Sequence, residues 1–114
     1  MKKIDYFKGN RYATRGILGT IDATILGKMW HCLDQFIDAK QIEPDYLQVF
    51  QLSTEVNLKG YQLIITHKQE VPNYINETAL VCPVSKQVNE KVYVISDCDE
   101  EGNEYSTMLL ASEY

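Results

Sequence analysis

Asp97, Asp99, Glu100 and Glu101 crowd into one short stretch that ends on Gly102. Carboxylates at alternate positions followed by a glycine imitate the first half of a calcium loop, which also needs a bidentate glutamate at its twelfth position. Here the twelfth position is Met108, and the flanks are patterned as strands rather than helices. The stretch therefore reads as a solvated hairpin tip, a negative docking point for a basic partner and not a metal site.

Cysteine and histidine offer little more. His31 and Cys32 are adjacent on a predicted helix and face different ways, so they cannot share a metal without distant help. His31 is expected to face solvent and Cys32 to flank the core. Cys82 or Cys98 with His67 could in principle form a nucleophile pair, but no helix N-terminus or basic charge marks either thiol as activated. There is no phosphate-binding glycine loop, no nucleophile elbow and no dinucleotide fingerprint; Arg15-Gly16-Ile17-Leu18-Gly19 lacks the lysine and the spacing. Neither a catalytic residue nor a cofactor is expected.

The stretch His67-Lys68-Gln69-Glu70-Val71-Pro72-Asn73-Tyr74 is more varied than filler needs to be. In its bland form it is a stiff crossover, with Pro72 fixing the turn and Tyr74 closing the core edge. In its functional form it is a recognition loop that presents His67, Gln69, Glu70, Pro72 and Tyr74. An alternative makes His67, Glu70 and Tyr74 the polar lining of a cleft between helix and sheet, used by a small-molecule binder or enzyme.

These residues hang on a central hairpin. Tyr46, Gln48, Phe50 and Leu52 alternate with Leu47, Val49 and Gln51, and the same period returns from Gly60 to Lys68 with Tyr61, Leu63 and Ile65 on one side. The polar segment Glu55 to Lys59 is expected as the loop between the two strands, too long to be a two-residue turn. Ahead of the hairpin, Ile25, Leu26, Met29, Trp30, Leu33, Phe36 and Ile37 recur at steps of three and four, predicting a helix within Ile21 to Lys40. Asp22 or Thr20 suits its N-cap. Gly27 inside it requires either a close neighbour or a tolerant helix. Arg11 to Leu18 is expected as a first strand after a loose N-terminal arm, residues 1–10. Ile75 to Cys82 follows the hairpin and is stopped by Pro83. Lys91 to Asp97 and Tyr105 to Ala111 make a second hairpin about the acidic tip. The expected architecture is a single α+β domain over residues 1–114: a curved, meander-like antiparallel sheet of five to six strands on one long amphipathic helix.

Charge is distributed unevenly. The chain of 114 residues has a net charge of −5; residues 1–44 carry 7 Lys/Arg against 5 Asp/Glu, and residues 45–114 carry 4 against 11. So acidic a surface repels a nucleic-acid backbone, leaving only the first fifteen residues locally basic. No apolar run approaches the roughly 20 residues of a membrane span, and no signal core follows the start, which predicts a cytosolic protein with reduced thiols and no membrane partner.

One set of residues runs nearly the whole length: Arg11-Tyr12-x-Thr14-Arg15-Gly16, Trp30, Asp45-Tyr46-Leu47-Gln48-Val49-Phe50, His67-x-Gln69-Glu70-x-Pro72-x-Tyr74, Thr107-Met108-Leu109-Leu110 and Glu113-Tyr114. In these residues the chain resembles a known family, domain of unknown function 960 of Gram-positive bacteria. The resemblance implies a bacterial cytosolic protein, sometimes carried on mobile elements, and brings no activity, cofactor or catalytic residue. The expected function is a non-enzymatic protein-interaction module, such as an acidic regulator or inhibitor of a host or mobile-element protein. Its partner is expected to be another protein, and a homodimer is compatible with the pattern.

Overall fold

A computed structural model describes residues 5–114. The chain runs β1 (Asn10–Ala13), α1 (Arg15–Thr20), α2 (Ala23–Ala39), β2 (Leu47–Asn57), β3 (Gly60–Gln69), β4 (Tyr74–Val84), β5 (Asn89–Cys98), β6 (Glu104–Leu110) and a closing 3-10 turn, Ala111–Glu113. The six strands form one sheet in the order β1-β6-β5-β2-β3-β4. It is an α+β fold, mostly antiparallel, with one longer and one short helix. Two stretches follow the expected meander, β2-β3-β4 and β5-β6. After β4, however, the chain crosses back and sets β5 beside β2, and β1 pairs with β6 in parallel.

The period-three-and-four stripe becomes the buried side of α2, where Ile25, Met29, Cys32, Leu33 and Phe36 are buried and His31 is exposed. Asp22 is the N-cap, its carboxylate accepting from the Thr24 amide at 2.8 Å. Lys40 ends the helix in the left-handed region, φ 53°. Gly27 is exposed, and a Cβ built there meets nothing within 4 Å. Gly27→Ala is therefore expected to raise stability by up to about 1 kcal/mol, read as a higher denaturation midpoint with an unchanged slope.

Three local expectations are corrected. Arg11 to Leu18 is not a strand throughout: Thr14 turns extended and caps α1, its hydroxyl oxygen accepting from the Ile17 amide at 3.2 Å. Strand β2 runs on to Asn57, so Leu58 and Lys59 alone make the turn, helped by Asn57 Oδ1 accepting from the Lys59 amide and by Gly60 at φ 126°. Pro83 does not stop β4, because β4 is an edge strand and an edge can hold a residue without an N–H. Of the expected loose arm, residues 1–4 lie outside the described residues, while Phe7 is fully buried and held in place.

What holds it is Glu104. Its carboxylate accepts from the Phe7 amide at 3.2 Å, the Gly9 amide at 2.6 Å, the Ser106 hydroxyl at 3.2 Å and the Ser96 hydroxyl. Partial burial opposes ionisation of Glu104, but those four donors outweigh it and hold the carboxyl below its usual range. Gly9 lies so close to β6 that a Cβ would overlap the Glu104 carbonyl oxygen. Arg11 closes the same side, paired with Asp34 and lying over the Trp30 ring at 4.8 Å.

Candidate functional site

Alternation on β3 does not end at Ile65. It carries on to His67 and Gln69, and both side chains are buried within the strand instead of being displayed on a loop. His67 sits opposite Phe50 of β2, which sits opposite Val92 of β5. Its ring stacks on Phe50, centroids 4.5 Å apart at 13°, and meets the edges of Phe36 at 4.9 Å and Tyr74 at 5.5 Å. Burial pushes the imidazole down to about 4 from an ordinary 6.5, so it is neutral at pH 7.

The polar partners of His67 can be oriented by working inward from fixed acceptors. Gln69 Nε2 lies 3.0 Å from the Glu43 carbonyl oxygen and 2.8 Å from that of Pro72, and carbonyls only accept. Gln69 Oε1 must then be the acceptor for the Asp45 amide and for Gln48 Nε2, at 2.9 and 2.7 Å. Gln48 Nε2 also donates to the Asp45 carbonyl at 2.9 Å. That leaves Gln48 Oε1, 2.7 Å from His67 Nε2, as an acceptor. The hydrogen of the neutral imidazole therefore sits on Nε2, and Nδ1 carries a lone pair. No side-chain nitrogen or oxygen among the described residues is both buried and unpartnered. Among the described residues Nδ1 has no hydrogen-bond partner, and His67 is one of the residues that line the hollow beside it.

That hollow holds about 180 Å³ between the C-terminal half of α2 and the strands β3 and β4. Cys32, Phe36, His67, Tyr74 and Ala79 form its wall, and the exposed side chains of Gln35, Gln41 and Asn76 surround its mouth. A bulge shapes it: between Ile65 and His67 strand β3 advances two residues while β4 advances four, from Leu80 to Asn76. The extra length brings both Asn76 and Ala79 to the wall. Cys32 Sγ lies 3.9 Å from the Ala79 carbonyl, and burial pushes its thiol up.

The expected recognition loop is thus split by the sheet. His67 and Gln69 are inside, Tyr74 is half-buried against Phe36 at 4.7 Å, and Glu70 and Pro72 are exposed on the turn. Glu70 is absent from the hollow and instead borders a separate groove on the outer face, so His67, Glu70 and Tyr74 do not line one cleft. Gln48, which alternation placed inward, turns out to be the link that orients His67. At the acidic tip Asp97, Asp99, Glu100 and Glu101 are all exposed, and Asp99 Oδ1 accepts from the amides of Glu101 and Asn103, both at 2.9 Å. That carboxylate is occupied in shaping the turn. Cys82 sits opposite Leu63, four residues along β3 from His67, a span of roughly 13 Å. Cys98 lies at the far end of β5, so neither thiol pairs with His67. Among the described residues no group of three or more His, Cys, Asp or Glu stands together to hold a metal ion.

Residues 10–113 match the family model described as Staphylococcal protein of unknown function (DUF960). The chain belongs to the DUF960 family. A comparison with curated proteins gave no match. Among solved structures, the crystal structure of the protein of unknown function from Enterococcus faecalis is similar at TM-score 0.69 and 18% identity, covering 95% of this chain and 92% of that one. At that identity the likeness is one of fold. Nine of the motif residues fall into two clusters here. Asp45, Gln48, His67, Gln69, Pro72 and Tyr74 build the network just described. Thr14, Gly16 and Glu113 meet at the start of α1, where the Glu113 carboxylate accepts from the Thr14 hydroxyl at 2.7 Å and lies where a Gly16 side chain would be.

Proposed function

We propose that this DUF960 chain is a cytosolic, non-enzymatic protein-interaction module that docks a partner protein on the outer face of its sheet. The carrying observation is that face itself. Both helices pack on the inner side, over Phe50, Leu52, Leu63, Ile65, Val92, Val94 and Met108. The opposite parity of the same strands carries half-buried Leu47 beside Ile95 and Thr107, and Val49, itself buried, between Lys68 and half-buried Tyr93. An apolar face left on one side of a two-layer fold is the usual mark of an interaction surface.

A groove of about 400 Å³ runs along it, floored by Leu47, Val49, Ile75 and Tyr93 and edged by Lys68, Lys91 and Glu70. Residues 45–114 hold only four Lys/Arg, and two of them stand at this groove. Apolar anchors beneath lysine rims suit an acidic partner segment better than a nucleic acid, which the remaining surface repels. A photo-crosslinking residue placed at Tyr93 or Leu109 is expected to trap one discrete protein in the bacterial host, while the same residue at His31 traps none. No adduct at either sheet position, or the same adducts from all three, would overturn this reading.

A further inference from the structure

We propose that the hollow at His67 is a binding site, separate from the docking face, for a small, uncharged, planar molecule that donates an N–H to His67 Nδ1. Three observations converge on that chemistry. First, Nδ1 is held as an acceptor by a fixed chain of hydrogen bonds running back to the Glu43 and Pro72 carbonyls. An acceptor held in place and lacking a partner among the described residues selects for a donor. Second, none of the ten side chains at the hollow is Asp, Glu, Lys or Arg. A charged ligand would lose water there and gain no counter-charge, which disfavours it strongly against a neutral one.

Third, about 180 Å³ falls below the 300–1,000 Å³ usual for drug-sized ligands, and the walls are the rings of Phe36, Tyr74 and His67. Such walls suit a single flat ring. The amides of Gln35, Gln41 and Asn76 at the mouth can donate to a carbonyl next to the ligand's N–H. A cyclic amide, in which N–H and C=O sit side by side on a flat ring, meets all of these conditions. Uracil, thymine and guanine carry this group, as do simple lactams.

The probe is 2-pyridone, titrated into the full chain while the ring nitrogens of His67 are followed by NMR. A saturable shift of Nδ1 is expected, with Kd on the order of 1 mM for so small a ligand. The analogue 1-methyl-2-pyridone lacks the N–H and should bind at least about tenfold more weakly. Ala79→Leu, which fills the wall, should abolish the shift, and Ala39→Leu at the more exposed rim should weaken it should the first variant fail to fold. An unmoved His67 signal, equal binding of the methylated analogue, or full binding by the folded leucine variants would each overturn the proposal. The docking face is read separately, by crosslinking at Tyr93, so the two fail independently.

Discussion

Acidifying the protein from pH 6.5 to 4 is expected to lower its folding stability by about 3 kcal/mol, and His67→Gln is expected to remove most of that slope. In the unfolded chain the imidazole takes up its proton near 6.5, whereas in the folded core, deprived of water, it does so only near 4. Between those values the unfolded state binds more protons, so stability falls as the pH falls. Well above 6.5 the ring is neutral in both states and contributes no slope. The effect is large because the ring is packed between Phe50, Phe36 and Tyr74, and no carboxylate lines the hollow to stabilise a cation. Glutamine at position 67 can still donate to Gln48 Oε1 but does not titrate. Urea denaturation at several pH values in this window checks the expectation; equal slopes in both proteins would refute it.

Glu104→Ala is expected to cost about 2–4 kcal/mol and to release the segment before β1. Ser106 is fully buried and Ser96 nearly so, and the substitution takes from each the acceptor it now uses. The amides of Phe7 and Gly9 lose the same acceptor. Amide hydrogen exchange should therefore accelerate first at those two positions, ahead of β2 and β3. Glu104→Gln keeps one carbonyl oxygen of similar placement and should recover part of the loss. Acid should act in the same direction as the alanine variant. With its folded value depressed below the ordinary 4.5, Glu104 contributes stability that is present above that ordinary value and lost as the pH falls through the folded one, so its loss begins at the acid end of the His67 window.

Much of this fold is legible in the sequence wherever a period is long enough to repeat. The α2 stripe from Ile25 to Phe36 and the alternation through Phe50, Leu52, Leu63 and Ile65 place the core correctly. His67 and Gln69 were within reach of the same signal, since carrying the parity of β3 two steps past Ile65 puts both inside. Their polarity is what suggests a loop. A buried polar pair is stable only with partners, and those come from Gln48 and from the carbonyls of Glu43 and Pro72, which no local pattern announces. The first strand is legible only in part: a strand from Arg11 is expected and found, but its end at Ala13 and its partner β6, which begins only at Glu104, are not announced by any local pattern. The turn at Leu58 and Lys59 is obscured because neither residue is a usual turn former, the φ > 0 requirement falling instead on Gly60.

The parallel seam between β1 and β6 also dictates when the molecule can close. A ribosome delivers the chain from its N-terminus, at about 5–20 residues per second. Phe7 finds its anchor on Glu104, 97 residues downstream, so the first strand must wait unpaired until almost the whole chain has emerged. During that interval β2 to β4 can already form a hairpin and a third strand from neighbouring sequence, while the inner face near α1 stays open. Contacts this distant in sequence are expected to slow folding and to leave the first strand among the last elements to settle.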